Sequence, residues 1–186
     1  MKIKFRKILL VFTVVLTATV LFSSCNKKIE KIRKNEILNL PSLTVKNDTT
    51  MYSDSGKMQL VMSFPIMERY TNVDPVYSEF RQGMKVVFYD GHPEQQGSVS
   101  SKYAKYLDKK KLWELRDSVV VINQTGDRLE TEQLFWDQEK DWIYTERFVR
   151  MTSEDQTITG SGFESDSHLN KRRIKNISGN IYLKDE

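Results

Sequence analysis

Residues 129–151 read Leu129-Glu130-Thr131-Glu132-Gln133-Leu134-Phe135-Trp136-Asp137-Gln138-Glu139-Lys140-Asp141-Trp142-Ile143-Tyr144-Thr145-Glu146-Arg147-Phe148-Val149-Arg150-Met151. Apolar residues recur at spacings of two on both sides of the polar run Asp137-Gln138-Glu139-Lys140-Asp141, at Leu134 and Trp136 before it and, with Ile143 on the same parity, at Val149 and Met151 after it. In an extended chain alternate side chains share a face, so the stretch predicts two strands joined by a polar hairpin. One hairpin cannot bury its apolar face alone, so further copies must stack beside it.

The copies are present. An offset of thirty residues relates Val99 to Leu129, Ser101 to Thr131, Ala104 to Leu134, Tyr106 to Trp136, Trp113 to Ile143, Val119 to Val149 and Val121 to Met151. A weaker third copy starts at Ile158, with Phe163 answering Leu134 and Ile177 answering Val149. Upstream, Met58, Leu60, Met62 and Phe64 alternate with Lys57, Gln59, Val61 and Ser63, and Met84, Val86 and Phe88 with Lys85, Val87 and Tyr89, which places Gln59 and Lys85 outside; Leu115 continues the parity of Trp113. Turn signals separate the runs at Asp54-Ser55-Gly56, Asp90-Gly91-His92-Pro93, Thr125-Gly126-Asp127 and Ser153-Glu154-Asp155. Residues 67–81, broken by Pro75, are expected to cross between the first hairpin and the main sheet. The fold class is therefore all-β: an antiparallel β-jellyroll, an open and twisted sandwich built from repeated hairpins. The inward positions are expected to form either a closed core or an apolar groove, and the pattern alone does not separate the two. They are rich in methionine, which adapts to flexible ligands.

The N-terminus reads as an address. Lys2, Lys4, Arg6 and Lys7 precede an uncharged, mostly apolar run over residues 8–22, and Ser23-Ser24-Cys25 follows. This is the layout of a secretory signal, and the run is short for a bilayer-spanning helix. Leu21-Phe22-Ser23-Ser24-Cys25 resembles a bacterial lipobox in relaxed form, which implies cleavage after residue 24 and acylation of Cys25. An uncleaved anchor helix is the alternative. Residues 25–39 are then a charged tether, and residues 40–186 the β domain.

Composition narrows the function. The formal charge of +4 comes from the four basic residues of the signal, and without residues 1–24 basic and acidic residues balance at 25 each. No basic surplus remains for a nucleic-acid backbone. The single cysteine excludes an intrachain disulfide and a cysteine metal cage. The only histidines are His92, in a turn, and His168, after Ser165, Asp166 and Ser167; neighbours in one turn cannot present a catalytic triad. No catalytic residue, cofactor or metal is expected.

The segments Gly83-Met84-Lys85-Val86-Val87-Phe88-Tyr89-Asp90, Leu129 to Asp137, Ile143 to Val149 and Ile158-Thr159-Gly160-Ser161-Gly162-Phe163-Glu164-Ser165-Asp166, in this order and spacing, resemble the periplasmic LptC family of lipopolysaccharide export over roughly residues 40–183. Many members carry an N-terminal transmembrane helix where this chain ends its apolar run at a cysteine. The resemblance implies a Gram-negative protein on the periplasmic side of the inner membrane, held there by a lipid anchor. It would accept lipopolysaccharide from an inner-membrane ABC transporter and pass it to the next, LptA-type jellyroll of a transenvelope bridge. The lipid A chains would lie along the inward set and the sugars outside. Gly179-Asn180-Ile181-Tyr182-Leu183 would be the edge meeting the next jellyroll, and the strand after Pro41 the edge facing the transporter. The competing reading is a periplasmic lipoprotein that scaffolds proteins through its strand edges and binds no lipid.

Overall fold

A computed structural model of the chain describes residues 40–178. The signal and tether read at residues 1–39, with Cys25, and the edge triplet Ile181, Tyr182 and Leu183 lie outside the described residues. The strands are β1 (Leu43–Asp54), β2 (Lys57–Tyr70), β3 (Tyr77–Phe80), β4 (Met84–Phe88), β5 (Gly97–Ser101), β6 (Tyr103–Leu107), β7 (Leu112–Asn123), β8 (Arg128–Asp137), β9 (Trp142–Thr152), β10 (Thr157–Ser165) and β11 (Arg173–Ile177). Every pairing is antiparallel. β3 and β4 lie end to end along β2, and β5 and β6 lie end to end along β7, so the chain is an up-and-down meander in which each strand pairs with the next. Residues 67–81 do not cross between sheets as expected. β2 continues to Tyr70 and β3 returns directly beside it, because Met67 and Phe80 both find places in the apolar interior. Among the described residues no helix is long and apolar enough to cross a membrane.

The interior positions reveal how this long sheet covers its own apolar face. In β2, β5/β6, β8 and β10 the period of two breaks with a step of three, at Phe64/Met67, Ser101/Ala104, Thr131/Leu134 and Gly160/Phe163. In β3/β4, β7 and β9 it breaks with a step of four, at Phe80/Met84, Leu115/Val119 and Thr145/Val149. Almost all of these residues are buried, with Met67 half-buried against the core. Register shifts mark the same level between Arg116 and Val119, Thr131 and Phe135, and Ser161 and Phe163. Left-handed backbone occurs there at Gly83, Asp117, Ser118 and Gly162. Inserted residues bend a strand and raise its twist. Aligned across seven strands, they form a crease that folds the sheet into two facing halves. One half carries Leu60, Val86, Phe88, Val99 and Val121; the other carries Phe80, Trp113, Leu134, Trp136 and Ile143. The rings of Phe88 and Trp136 meet edge to face across the fold, 6.1 Å apart.

Backbone groups released by the insertions are satisfied from within. Thr131 Oγ1 donates to the Phe148 carbonyl at 2.9 Å, and the Arg147 N–H donates to Thr145 Oγ1 at 3.1 Å. Both threonines are buried, where an unpaired backbone group would be costly. The repeat of thirty residues is thus one hairpin plus its two insertions. Its third copy departs at Ile177, which is exposed on the short strand β11.

A polar and aromatic network covers the outer side of β3, β6 and neighbouring strands. The Tyr103 hydroxyl donates to Glu79 at 2.6 Å, Arg81 pairs with Glu79 and Glu68, and the Arg116 guanidinium lies 4.0 Å over the Tyr103 ring. Burial first, then the bond to Glu79, pushes the Tyr103 phenol up to about 12.

Two predictions follow from the crease and its cover. A Cβ at Gly83 would stand 2.4 Å from the Ser101 carbonyl oxygen at a φ of +83°, whereas at Gly126 (φ +85°) it meets nothing within 4 Å. Gly83→Ala should therefore lower unfolding free energy by at least ~2 kcal/mol and Gly126→Ala by only ~1 kcal/mol, compared by urea denaturation. For Tyr103, the folded state holds its proton above the ordinary tyrosine value near 10. Its contribution is complete below about pH 10 and is lost as pH rises towards about 12. Tyr103→Phe should flatten the fall of the urea midpoint across that window.

Candidate functional site

The folded sheet leaves a cavity of about 320 Å³ between its halves, open at the end where the β1–β2, β4–β5 and β7–β8 turns gather. Its apolar walls include Leu60, Phe88, Val99 and Val121 from one half and Leu134, Trp136 and Ile143 from the other, with Leu115 deeper in. A hollow of about 40 Å³ adds Met62, Met84, Val86 and Trp113, and shares Leu60, Phe88, Val99, Leu115 and Trp136 with the larger one. The rim is polar, with Asp54, Gln59, Asp90, Gln96, Asn123 and His168, and among the described residues no lysine or arginine lines it.

Side-chain size decides where the space lies. Around the crease and beyond it, Phe64, Phe80, Trp113 and Tyr106 fill the interior with ring contacts of 5.2, 5.8 and 4.7 Å along the series. At the open end stand Gly97, Ser98, Val99 and Val121, too small to reach the facing wall. The Trp136 indole N–H is buried without a partner among the described residues. A buried donor of this kind needs an acceptor, from water or from a ligand.

Of the inward set read from the sequence, the structure brings twenty residues into one apolar cluster. Phe64, Ala104, Val119, Leu129, Val149, Met151 and Phe163 are tightly packed core, whereas the cavity-lining residues face open space. Two positions fall outside the cluster. The β1–β2 hairpin runs past Phe88, the last β4 residue in its ladder, so Met58 has no wall opposite. Ile158 lies beyond Gly160, where the pairing with β11 ends. Gln59, expected outside by parity, lines the rim instead. Sequence reasoning missed Tyr70, Phe80 and Leu169, which are buried, and Val45, Met67 and Ile174, which pack against the core. The three- and four-residue steps could have found Met67 and Phe80. Leu169 sits in a loop without periodicity and gives no such signal.

The serine, aspartate and histidine near residue 165 do not assemble. Ser165 is buried beside Asp166, while His168 is exposed with its Nδ1 3.9 Å from Asp90. Among the described residues no three histidine, cysteine, aspartate or glutamate side chains are grouped to hold a metal ion.

Filling the cavity tests its reality. Val121→Phe enters open space and should cost less than ~1 kcal/mol. Val149→Phe, in packed core, should cost ~1–3 kcal/mol by overpacking, as read from urea midpoints of the full chain.

A search of curated proteins finds no match. The family model described as lipopolysaccharide-assembly, LptC-related, matches residues 8–180, nearly the whole chain. The chain therefore belongs to the LptC family, and its role is in lipopolysaccharide transport, as a periplasmic jellyroll associated with the inner membrane and not as an enzyme.

Proposed function

We propose that this jellyroll takes lipopolysaccharide from an inner-membrane ABC transporter, holds its acyl chains between the two halves of the sheet, and passes it to an LptA-type jellyroll of the transenvelope bridge. The observation that carries this reading is the apolar cavity, open at one end and rimmed by polar groups. At roughly the 30 Å³ that one water takes in the liquid, it has room for about ten methylenes. Burying that many contributes about 8 kcal/mol before the cost of association, which leaves a weak net grip that permits release. The lone Trp136 N–H suits an acyl ester oxygen. With no lysine or arginine among the described residues that line the cavity, phosphates and sugars stay in water.

Handover runs through strand edges. Among the described residues β1 pairs only with β2; it is almost wholly exposed and presents Leu43, Met51 and Tyr52 to solvent. Its free edge suits strand addition by another jellyroll. Leu43 follows the tether directly in sequence, so β1 is the edge for the transporter. The C-terminal edge, with Ile181, Tyr182 and Leu183, serves the next jellyroll. Acylation at Cys25 holds the chain to the inner membrane, since lipoprotein processing supplies more than one acyl chain. The exposed β1 edge equally supports the second reading, a protein scaffold without lipid.

Photocrosslinking in living cells separates the two. A photoreactive residue at Trp136 or Phe88 should give a lipopolysaccharide adduct, and one at the exposed Lys85 should give none. Folded protein with no adduct from either interior position would leave the scaffold.

A further inference from the structure

The segment joining β10 to β11, residues 166–172, is tied to two separate turns and lies beside a third. The Ser167 hydroxyl donates to Asp141 Oδ1 at 2.5 Å, in the β8–β9 turn. Arg172 Nη1 lies 2.5 Å from Asp127 Oδ2 in the β7–β8 turn, and His168 Nδ1 lies 3.9 Å from Asp90 in the β4–β5 loop. Asp127 and Asp90 stand at the end of one half of the folded sheet, and Asp141 at the end of the other. The segment therefore spans the cavity mouth, and Ser167 and His168 form part of its lining. At its centre Leu169 is 1% exposed and belongs to the apolar core. Its φ of +61° is one that a bulky residue adopts only when its surroundings impose it. A connecting loop needs none of this: a seated apolar plug, a left-handed backbone and ties to both halves.

We infer that residues 166–172 are a latch across the mouth. With Leu169 seated and Arg172 on Asp127, the interior admits about one acyl chain, as its room for about ten methylenes dictates. A lipid bearing several chains enters only when the latch lifts and the halves part. The latch runs without a break into β11, where Arg173 pairs with Glu164 of β10. A strand added at that side of the sheet pulls on the latch, so docking of the next jellyroll and opening of the interior are coupled. This inference rests on the lipid-carrying reading above.

The test uses the purified full chain in detergent, with a photoreactive residue at Trp136 and the double substitution Asp90→Cys/His168→Cys. A short, reducible bis-methanethiosulfonate bridges the two thiols and holds the latch shut. Bridging should cut the lipopolysaccharide adduct by about tenfold or more, as expected when the open state is removed, and reduction should restore it. Labelling by a single-chain probe, diazirine palmitate, should persist in the bridged protein. Arg172→Gln, without the bridge, should raise the lipopolysaccharide adduct about threefold, the worth of a half-exposed ion pair. Equal lipopolysaccharide labelling in bridged and reduced protein would overturn the latch. Loss of palmitate along with lipopolysaccharide on bridging would overturn the one-chain capacity. If folded, reduced protein takes neither probe, the lipid reading itself fails and the latch falls with it.

Discussion

The described residues depend on one constraint: an antiparallel meander with a single apolar face must cover that face with no helix layer among them. The solution is a line of insertions, one residue in each strand of one direction and two in each strand of the other. A lone bulge kinks a strand, but insertions at one level in seven strands fold the whole sheet. The fold line would be untenable if it left backbone groups bare. Thr131 and Thr145, buried at the line, supply the missing partners. Their hydroxyls explain why polar residues recur at positions that otherwise read as core.

The cavity is a consequence of the same geometry and of how side-chain volume is distributed along it. Two facing halves leave space that only large residues can fill. The chain places its interlocked aromatics around the crease and the far end, and its smallest residues near the open end. A uniformly packed sandwich would need rings at positions such as Val99 and Val121. Their absence is a feature of the sequence, and it separates the packed residues from the cavity walls within a set that alternation alone treats as one.

Much of this was legible in the sequence. Period two and the offset of thirty together identified twenty residues of the apolar cluster, and the offset marked the hairpin unit. Alternation fails where a strand outruns its partner, as at Met58 and Ile158, and where a chain end turns into a rim, as at Gln59. It also fails where its own phase jumps. Phe80 and Met67 were lost because the jump in β2 and β3 fell in a stretch that Pro75 made look irregular. Leu169 was beyond reach, since its burial follows from the long-range ties of its neighbours to Asp127 and Asp141 and from a backbone conformation that leucine rarely takes. The cavity walls could be named as inward, but their distance from the opposite wall is a tertiary quantity.

The charge distribution bears on how such an interior can both hold and release. Residues 25–186 carry balanced charge, and among the described residues the cavity rim carries carboxylates, amides and a histidine without a lysine or arginine. A phosphate gripped by buried guanidinium groups would bind tightly and leave slowly, because breaking such a pair strands a charge. An interior that holds only hydrocarbon has a different dependence. Its grip scales with the length of chain covered, so it weakens continuously as a chain slides into a neighbouring interior of the same kind. No intermediate position leaves a buried charge unpaired. An apolar cavity whose described walls carry no lysine or arginine therefore suits a protein that carries its lipid onward better than one that stores it.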